Sequence, residues 1–199
     1  MTRLLTVFIL TTFLSACQTT SDDAKKRMTQ SPGELTFGAT AGMDPEQYLF
    51  EQHAIFRNKL LDKGVESRIE GDKLILNIPG NITFGVNSAK LNWNVHNILN
   101  QITPVLQEYY HSTILVYGHS DAKGDAVINQ RLSEQRARVI RDYFVRSGID
   151  PVRVTAKGRG VDELLVAEGI TSVDRSLNRR VTLEITAVNR AAPVVDAAQ

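Results

Sequence analysis

A β-branched apolar run, Thr113 to Tyr117, leads through the polar, glycine-bearing stretch Gly118 to Asp125 into a helical pattern from Ala126 to Ser147 that Gly148 closes. A strand that passes directly into a helix of this length has to lay that helix back across the sheet containing the strand, because each element buries one apolar side and exposes the other. This one unit therefore commits the chain to a layered α/β arrangement, and the flanking patterns extend it.

Upstream, Val65 to Ile69 and Lys73 to Ile78 alternate apolar and polar residues around Gly71-Asp72, the signature of a β-hairpin. Pro79-Gly80 breaks that run, and Ile82 to Phe84 reads as a brief extended piece. From Ser88 to Tyr110, apolar residues including Leu91, Val95, Ile98, Ile102 and Leu106 recur at helical spacing, with Pro104 expected to kink or split the helix. Downstream, strands are expected near Val152 to Ala156 and Arg180 to Ala187, joined by a long loop in which Gly158-Arg159-Gly160 reads as a turn. The order strand, helix, strand, helix, strand, followed by a further strand, implies crossovers and partly parallel pairing, with the last strand free to pair either way. The expected fold is an α/β two-layer sandwich: a mixed sheet of βαβαβ-β order with helices packed on one face.

Before the hairpin, Asp44-Pro45 has the form of a helix start, an N-cap followed by proline at the first helical position. Tyr48, Leu49, Ile55, Phe56, Leu60 and Leu61 then follow at helical spacing as far as Gly64. Residues 45–73 are thus expected to hold an amphipathic helix and the start of the hairpin, and residues 74–188 the main domain. Residues 189–199 read as a disordered tail.

The N-terminus carries a different kind of signal. Arg3 supplies a positive start, Leu4 to Leu14 an apolar stretch too short to span a bilayer, and Leu14-Ser15-Ala16-Cys17 follows at once. Residues 1–16 therefore read as a secretory signal peptide. A leucine three positions before the cut and a cysteine directly after it resemble the lipobox of bacterial lipoproteins, and Cys17 is the only cysteine in the sequence. The resemblance implies acylation at Cys17 and, with Gln18 next, an outer-membrane anchor facing the periplasm. Several acyl chains at about 0.8 kcal/mol per buried CH₂ hold essentially permanently. Residues 17–44, rich in Thr, Ser, Gly, Ala, Lys and Asp, then form a flexible tether.

Composition removes several classes. With 42% hydrophobic and 23% charged residues, neither wholesale disorder nor a multi-span membrane protein fits, and a net charge of +1 argues against a nucleic-acid partner. A single cysteine excludes a disulfide within the chain. His53, His96, His111 and His119 lack metal-ligand spacing, so no metal or cofactor is expected. Ser120 and His119 are adjacent rather than arranged as nucleophile and base, so the reading is not an enzyme.

The segment Gly118 to Tyr143, GHSDAKGDAVINQRLSEQRARVIRDY, resembles the OmpA-like peptidoglycan-binding domain family through Asp121, Gly124, Asn129, Leu132, Ser133, Arg136, Ala137 and Val139 in register. Ile82-Thr83-Phe84, Ser88 to Leu91, Gly158 to Gly160 and Asn178 to Val181 extend the likeness to about residues 74–187. Ser120 stands where threonine is usual, and Asn87 where aspartate often stands. The resemblance implies non-covalent binding of diaminopimelate-type peptidoglycan, with Asp121 and Arg136 holding the diaminopimelate of the stem peptide and Asn87, Asn129 and Leu132 lining the site. Backbone N–H groups around Val86 and Asn87 are expected to help hold the carboxylate.

The residues support such a pair on their own terms. Arg136 falls on a largely apolar helical stripe, where a cation is costly unless it meets an anion, and Asp121 in the preceding loop is the natural partner. A carbon bearing both an ammonium and a carboxylate suits an aspartate beside an arginine fork. The alternative is an internal Asp121–Arg136 salt bridge that merely fixes the loop. Two functional readings remain open: an outer-membrane lipoprotein that ties the membrane to the wall, and a structural subunit of an envelope secretion or motility assembly, with other envelope proteins as partners, that uses the domain for anchorage.

Overall fold

The computed structural model describes residues 43–85, 87–167 and 171–188; the signal, Cys17 with nearly all of the tether, Val86 and the tail lie outside the described residues. Helix α1 (Pro45–Leu60) starts where Asp44 caps it, the Asp44 carboxylate accepting from the backbone N–H groups of Glu46 and Gln47 at 3.0 Å. The cap satisfies two of the donors that a helix start leaves open. Its apolar stripe of Tyr48, Leu49, Ile55, Phe56 and Leu60 is buried.

Strands β1 (Glu66–Glu70) and β2 (Lys73–Pro79) form the hairpin read from the sequence. A single helical turn, α2 (Gly80–Thr83), comes next, then α3 (Trp93–Glu108), β3 (Ser112–His119) and α4 (Ala126–Arg146). A 3₁₀ turn at Pro151–Arg153 introduces β4 (Val154–Gly160), and α5 (Ser172–Asn178) precedes β5 (Arg180–Ala187). The five-stranded sheet has the order β1-β2-β5-β3-β4, with β3 and β4 parallel and every other neighbouring pair antiparallel.

The fold is thus the mixed α/β sandwich expected, with its last strand inserted between β2 and β3. Leu74, Leu76 and Ile78 of β2, Ile114 and Val116 of β3, and Val181, Leu183 and Ile185 of β5 point to one side, where they share a core with α1, α3 and α4. On the other side of the sheet, Thr182 donates to Asn77 at 2.8 Å and Lys73 pairs with Glu184. That two-residue alternation is the strand period itself.

Four local expectations are corrected. The piece from Ile82 to Phe84 is not a strand: Gly80–Thr83 turns helically and Phe84 makes only an isolated bridge to Leu91. Helix α3 begins at Trp93 rather than Ser88, because Leu91 is held in that bridge and the Asn92 N–H donates to the Thr83 carbonyl at 2.9 Å. Pro104 does not split it. The proline is exposed, so the carbonyl one turn back that lacks a partner faces solvent instead of the core.

Gly158-Arg159-Gly160 is not a turn either, since it completes β4. The glycines are there because α4 lies directly on the strand ends. A Cβ on Gly158 would stand 2.6 Å from the Glu134 nitrogen and from Ser133 Oγ, and one on Gly118 of β3 would stand 2.0 Å from the Ser133 carbonyl oxygen. That close approach fixes α4, and with it Arg136, at the end of the sheet.

Candidate ligand-binding cleft

The loop from Ser120 to Asp125 is built to hold its shape. Asp125 caps α4 by accepting from the N–H groups of Val127 and Ile128, each at 2.9 Å. One helical turn on, the Asn129 amide donates to the Lys123 carbonyl at 3.0 Å and to the Asp121 carbonyl at 3.3 Å, while its oxygen accepts from Ser120 Oγ at 2.9 Å. The Ser120 N–H donates to the Gly160 carbonyl at 2.7 Å, which ties the loop to β4. Ser120 therefore uses the hydroxyl that threonine would also supply.

This loop, the first half of α4, the segment after β2, and Arg175 and Arg179 from α5 and its C-terminal end surround an open cleft of about 980 Å³. Asp121, Arg136, Asn87, Asn129 and Leu132 all line it. Asp121 and Arg136 lie on its floor, 8% and 4% exposed. Asn129 lines the wall but commits its amide to holding the loop. Asn87 has a positive φ of 49°, a left-handed conformation that asparagine tolerates better than most residues.

The ion pair that the sequence suggested between Asp121 and Arg136 is replaced by another. Asp121 Oδ2 accepts from Arg179 Nη1 at 2.5 Å, and Oδ1 accepts from the Lys123 N–H at 3.1 Å. Arg136 instead donates from Nε to the Ser88 carbonyl at 3.0 Å and sets its guanidinium 5.2 Å from the centre of the Phe84 ring. Among the described residues no carboxylate lies within ion-pair distance of Arg136. Burial, then the nearby charge of Arg179, lower its pKa, and the charge of Asp121 partly opposes them; a guanidinium stays protonated regardless.

Arg179 is visible in the sequence only within the stretch Asn178 to Val181 that extends the family likeness, with no partner indicated. Its reach to Asp121 spans 58 positions and depends on β5 lying beside β3. Phe84 and the Ser88 carbonyl carried no signal as partners of Arg136. Among the described residues the cleft walls carry five basic side chains (Lys123, Arg131, Arg136, Arg175 and Arg179) against the carboxylates of Asp121 and Asp125. Such a cleft favours ligands that bear an anionic group.

His119, within the stretch read from the sequence as a polar loop, is not a loop residue. It is the last residue of β3, 1% exposed, and its ring nitrogens have no hydrogen-bond partner among the described residues. Burial, with Arg180 and Arg159 nearby, pushes its pKa down to about 3, so the ring is neutral. Close to it, Arg159 stacks 3.9 Å from the centre of the Tyr117 ring and pairs with Glu163.

The fold and this cleft define an OmpA-type domain, and residues 83–179 match the OmpA family. The chain is 34% identical over 139 residues to the probable lipoprotein YiaD of Escherichia coli, covering 70% of this chain and 63% of that protein. It is 32% identical over 128 residues to the outer-membrane lipoprotein YfiB of Pseudomonas aeruginosa, covering 64% of this chain and 74% of that one. Among solved structures, the cell wall anchor of the T6SS from Pseudomonas aeruginosa superposes with a TM-score of 0.62 at 27% identity, over 68% of this chain and 96% of that one. The chain belongs to the OmpA family. It spans a little under two thirds of the length of YiaD.

Proposed function

We propose that this protein is an outer-membrane lipoprotein that binds peptidoglycan non-covalently and ties the membrane to the wall. Cys17 carries the lipid, the segment after it crosses part of the periplasm, and the cleft takes the diaminopimelate of the stem peptide. The lipoprotein names of two relatives, and the cell-wall attachment of the secretion-system anchor, support this reading.

The observation that carries it is Arg136: a residue only 4% exposed, lining an open cleft, with no carboxylate within ion-pair distance of its guanidinium among the described residues. Burying a cation in this way is costly unless an anion arrives to meet it. The ligand carboxylate meets Arg136 in a two-bond fork, and the ammonium on the same carbon meets Asp121. Asn87 and Leu132 shape the wall around the head group, and Asn129 keeps the loop in place. The interaction is binding without chemistry and uses no cofactor or metal. Co-sedimentation with purified sacculi tests it: the wild type pellets with the wall and Arg136→Ala stays in the supernatant, without release of soluble muropeptides in either case.

A second reading makes the protein a structural subunit of a secretion or motility assembly that uses the same cleft for anchorage. It is favoured by the likeness to the T6SS anchor and by Phe50 and Leu61, which are 65% and 81% exposed. Eleven residues apart, they fall near one line on the outer side of α1, where a protein partner could dock. Replacing both with Ser would abolish assembly while leaving wall binding intact.

A further inference from the structure

Trp93 is the only tryptophan in the sequence, and it stands 84% exposed at the first position of α3. It is not isolated. Its ring centre lies 6.0 Å from that of His96, and His96 lies 5.6 Å from Tyr143 of α4. The Tyr143 hydroxyl in turn bonds Asn100 at 2.5 Å. Three rings from two helices thus form a continuous aromatic ledge with the polar edge of Asn100 beside it. Single exposed apolar residues need no explanation, but a contiguous group rimmed by polar atoms marks a binding surface.

The ledge adjoins the cleft. Asn92, the residue before Trp93, lines the cleft and donates its side-chain amide to the Asn81 carbonyl at 3.2 Å. Tyr143 lies seven residues beyond Arg136 on the same helix, about 10 Å along its axis. A stem peptide held at the side-chain end of its diaminopimelate has that side chain's three methylenes, two further residues and a lactyl ether between the head group and the muramyl sugar. Two extended residues alone cover about 7 Å, and with the three methylenes and the lactyl ether the connection exceeds the distance along α4 from Arg136 to Tyr143.

We propose that Trp93, backed by His96 and Tyr143, is a stacking ledge for an amino-sugar ring of the glycan strand that carries the stem peptide. The proposal rests on the peptidoglycan reading above. An aromatic face is negative, and the C–H bonds on one side of a pyranose ring are its positive complement. The hydroxyl and acetamido groups at the sugar's rim face Asn100 and the imidazole of His96.

The test uses full-length protein and two ligands: a diaminopimelate stem peptide, and the same peptide on its N-acetylglucosamine–N-acetylmuramic acid disaccharide. Because Trp93 is the sole tryptophan, intrinsic emission reports on the ledge directly. The disaccharide ligand is expected to shift that emission to the blue and to bind about tenfold more tightly than the bare peptide by calorimetry. Trp93→Ala should bind both ligands equally, at the wild-type level for the bare peptide, whereas Arg136→Ala loses both. Equal wild-type affinities with unmoved emission overturn the ledge, as does a Trp93→Ala variant that keeps the sugar's gain. If only the disaccharide ligand binds and shifts the emission, the ledge stands and the diaminopimelate reading falls. If neither ligand binds, both fall.

Discussion

Arg179 donates from Nη1 to Asp121 Oδ2 at 2.5 Å, and this pair occupies the carboxylate that a ligand ammonium would meet. Asp121 keeps its orientation through a second contact, Oδ1 with the Lys123 N–H, so an incoming ammonium can share or displace Arg179 without the loop reorganising. Asp121→Asn retains that Oδ1 acceptor and removes the charge. Its affinity for a diaminopimelate peptide is expected to fall at least tenfold. Its melting temperature should fall by only a few degrees, because a partly exposed ion pair contributes about 0–1 kcal/mol. Unfolding of the variant would instead make the pair a structural clamp.

Arg136 separates charge from geometry. Lysine there keeps the positive charge but loses both the planar fork and the face that lies over Phe84 at 5.2 Å. Arg136→Lys should therefore bind sacculi nearly as poorly as Arg136→Ala, with an unchanged far-UV spectrum. Wild-type binding by Arg136→Lys would reduce the site to a simple positive patch.

His119 gives the fold a pH dependence of known sign. Its folded pKa, about 3, lies below the ordinary histidine value near 6.5, so between those limits the unfolded chain binds a proton that the folded protein refuses. Stability is therefore fully present above pH 6.5 and declines as the pH falls toward 3, by up to about 1.4 kcal/mol per pH unit from this group. Urea titrations of the wild type and His119→Leu across that range should show the leucine variant with the shallower slope. Parallel curves would mean that the imidazole is protonated in the folded state.

The strand ends under α4 admit no side chain. Gly118→Ala would put a methyl group 2.0 Å from the Ser133 carbonyl oxygen, a backbone atom that cannot rotate away. The helix must then lift off β3, at a cost of about 1–3 kcal/mol or more. The displacement carries Arg136 with it, so wall binding should fall along with the chemical-denaturation midpoint. Wild-type stability in Gly118→Ala would show that α4 is free to shift.

Much of this was legible in the residues because it is local. The hairpin, α4 and the polar loop before it follow from periodicity and turn residues within a short span, and α1 from periodicity and its Asp44 cap. What escaped was non-local. The insertion of β5 between β2 and β3 brings Arg179 to Asp121, and nothing near either residue announces it. The glycines of Gly158-Arg159-Gly160 read as a turn because their reason is a helix packed from elsewhere in the chain. His119 read as a loop residue because β3 runs two residues past its β-branched stretch. Arg136 shows both sides of this: its place on a buried helical stripe was evident, while its actual neighbours, Phe84 and the Ser88 carbonyl, lie about fifty positions away.

The central claim is that Asp121 and Arg136 together hold a head group bearing an ammonium and a carboxylate on one carbon. Calorimetric titration with two stem peptides that differ only in carrying meso-diaminopimelate or lysine at the third position tests it most directly. The account predicts at least tenfold tighter binding of the diaminopimelate peptide to the wild type, and no difference between the two in Arg136→Ala. Equal affinity of the wild type for both peptides would contradict it.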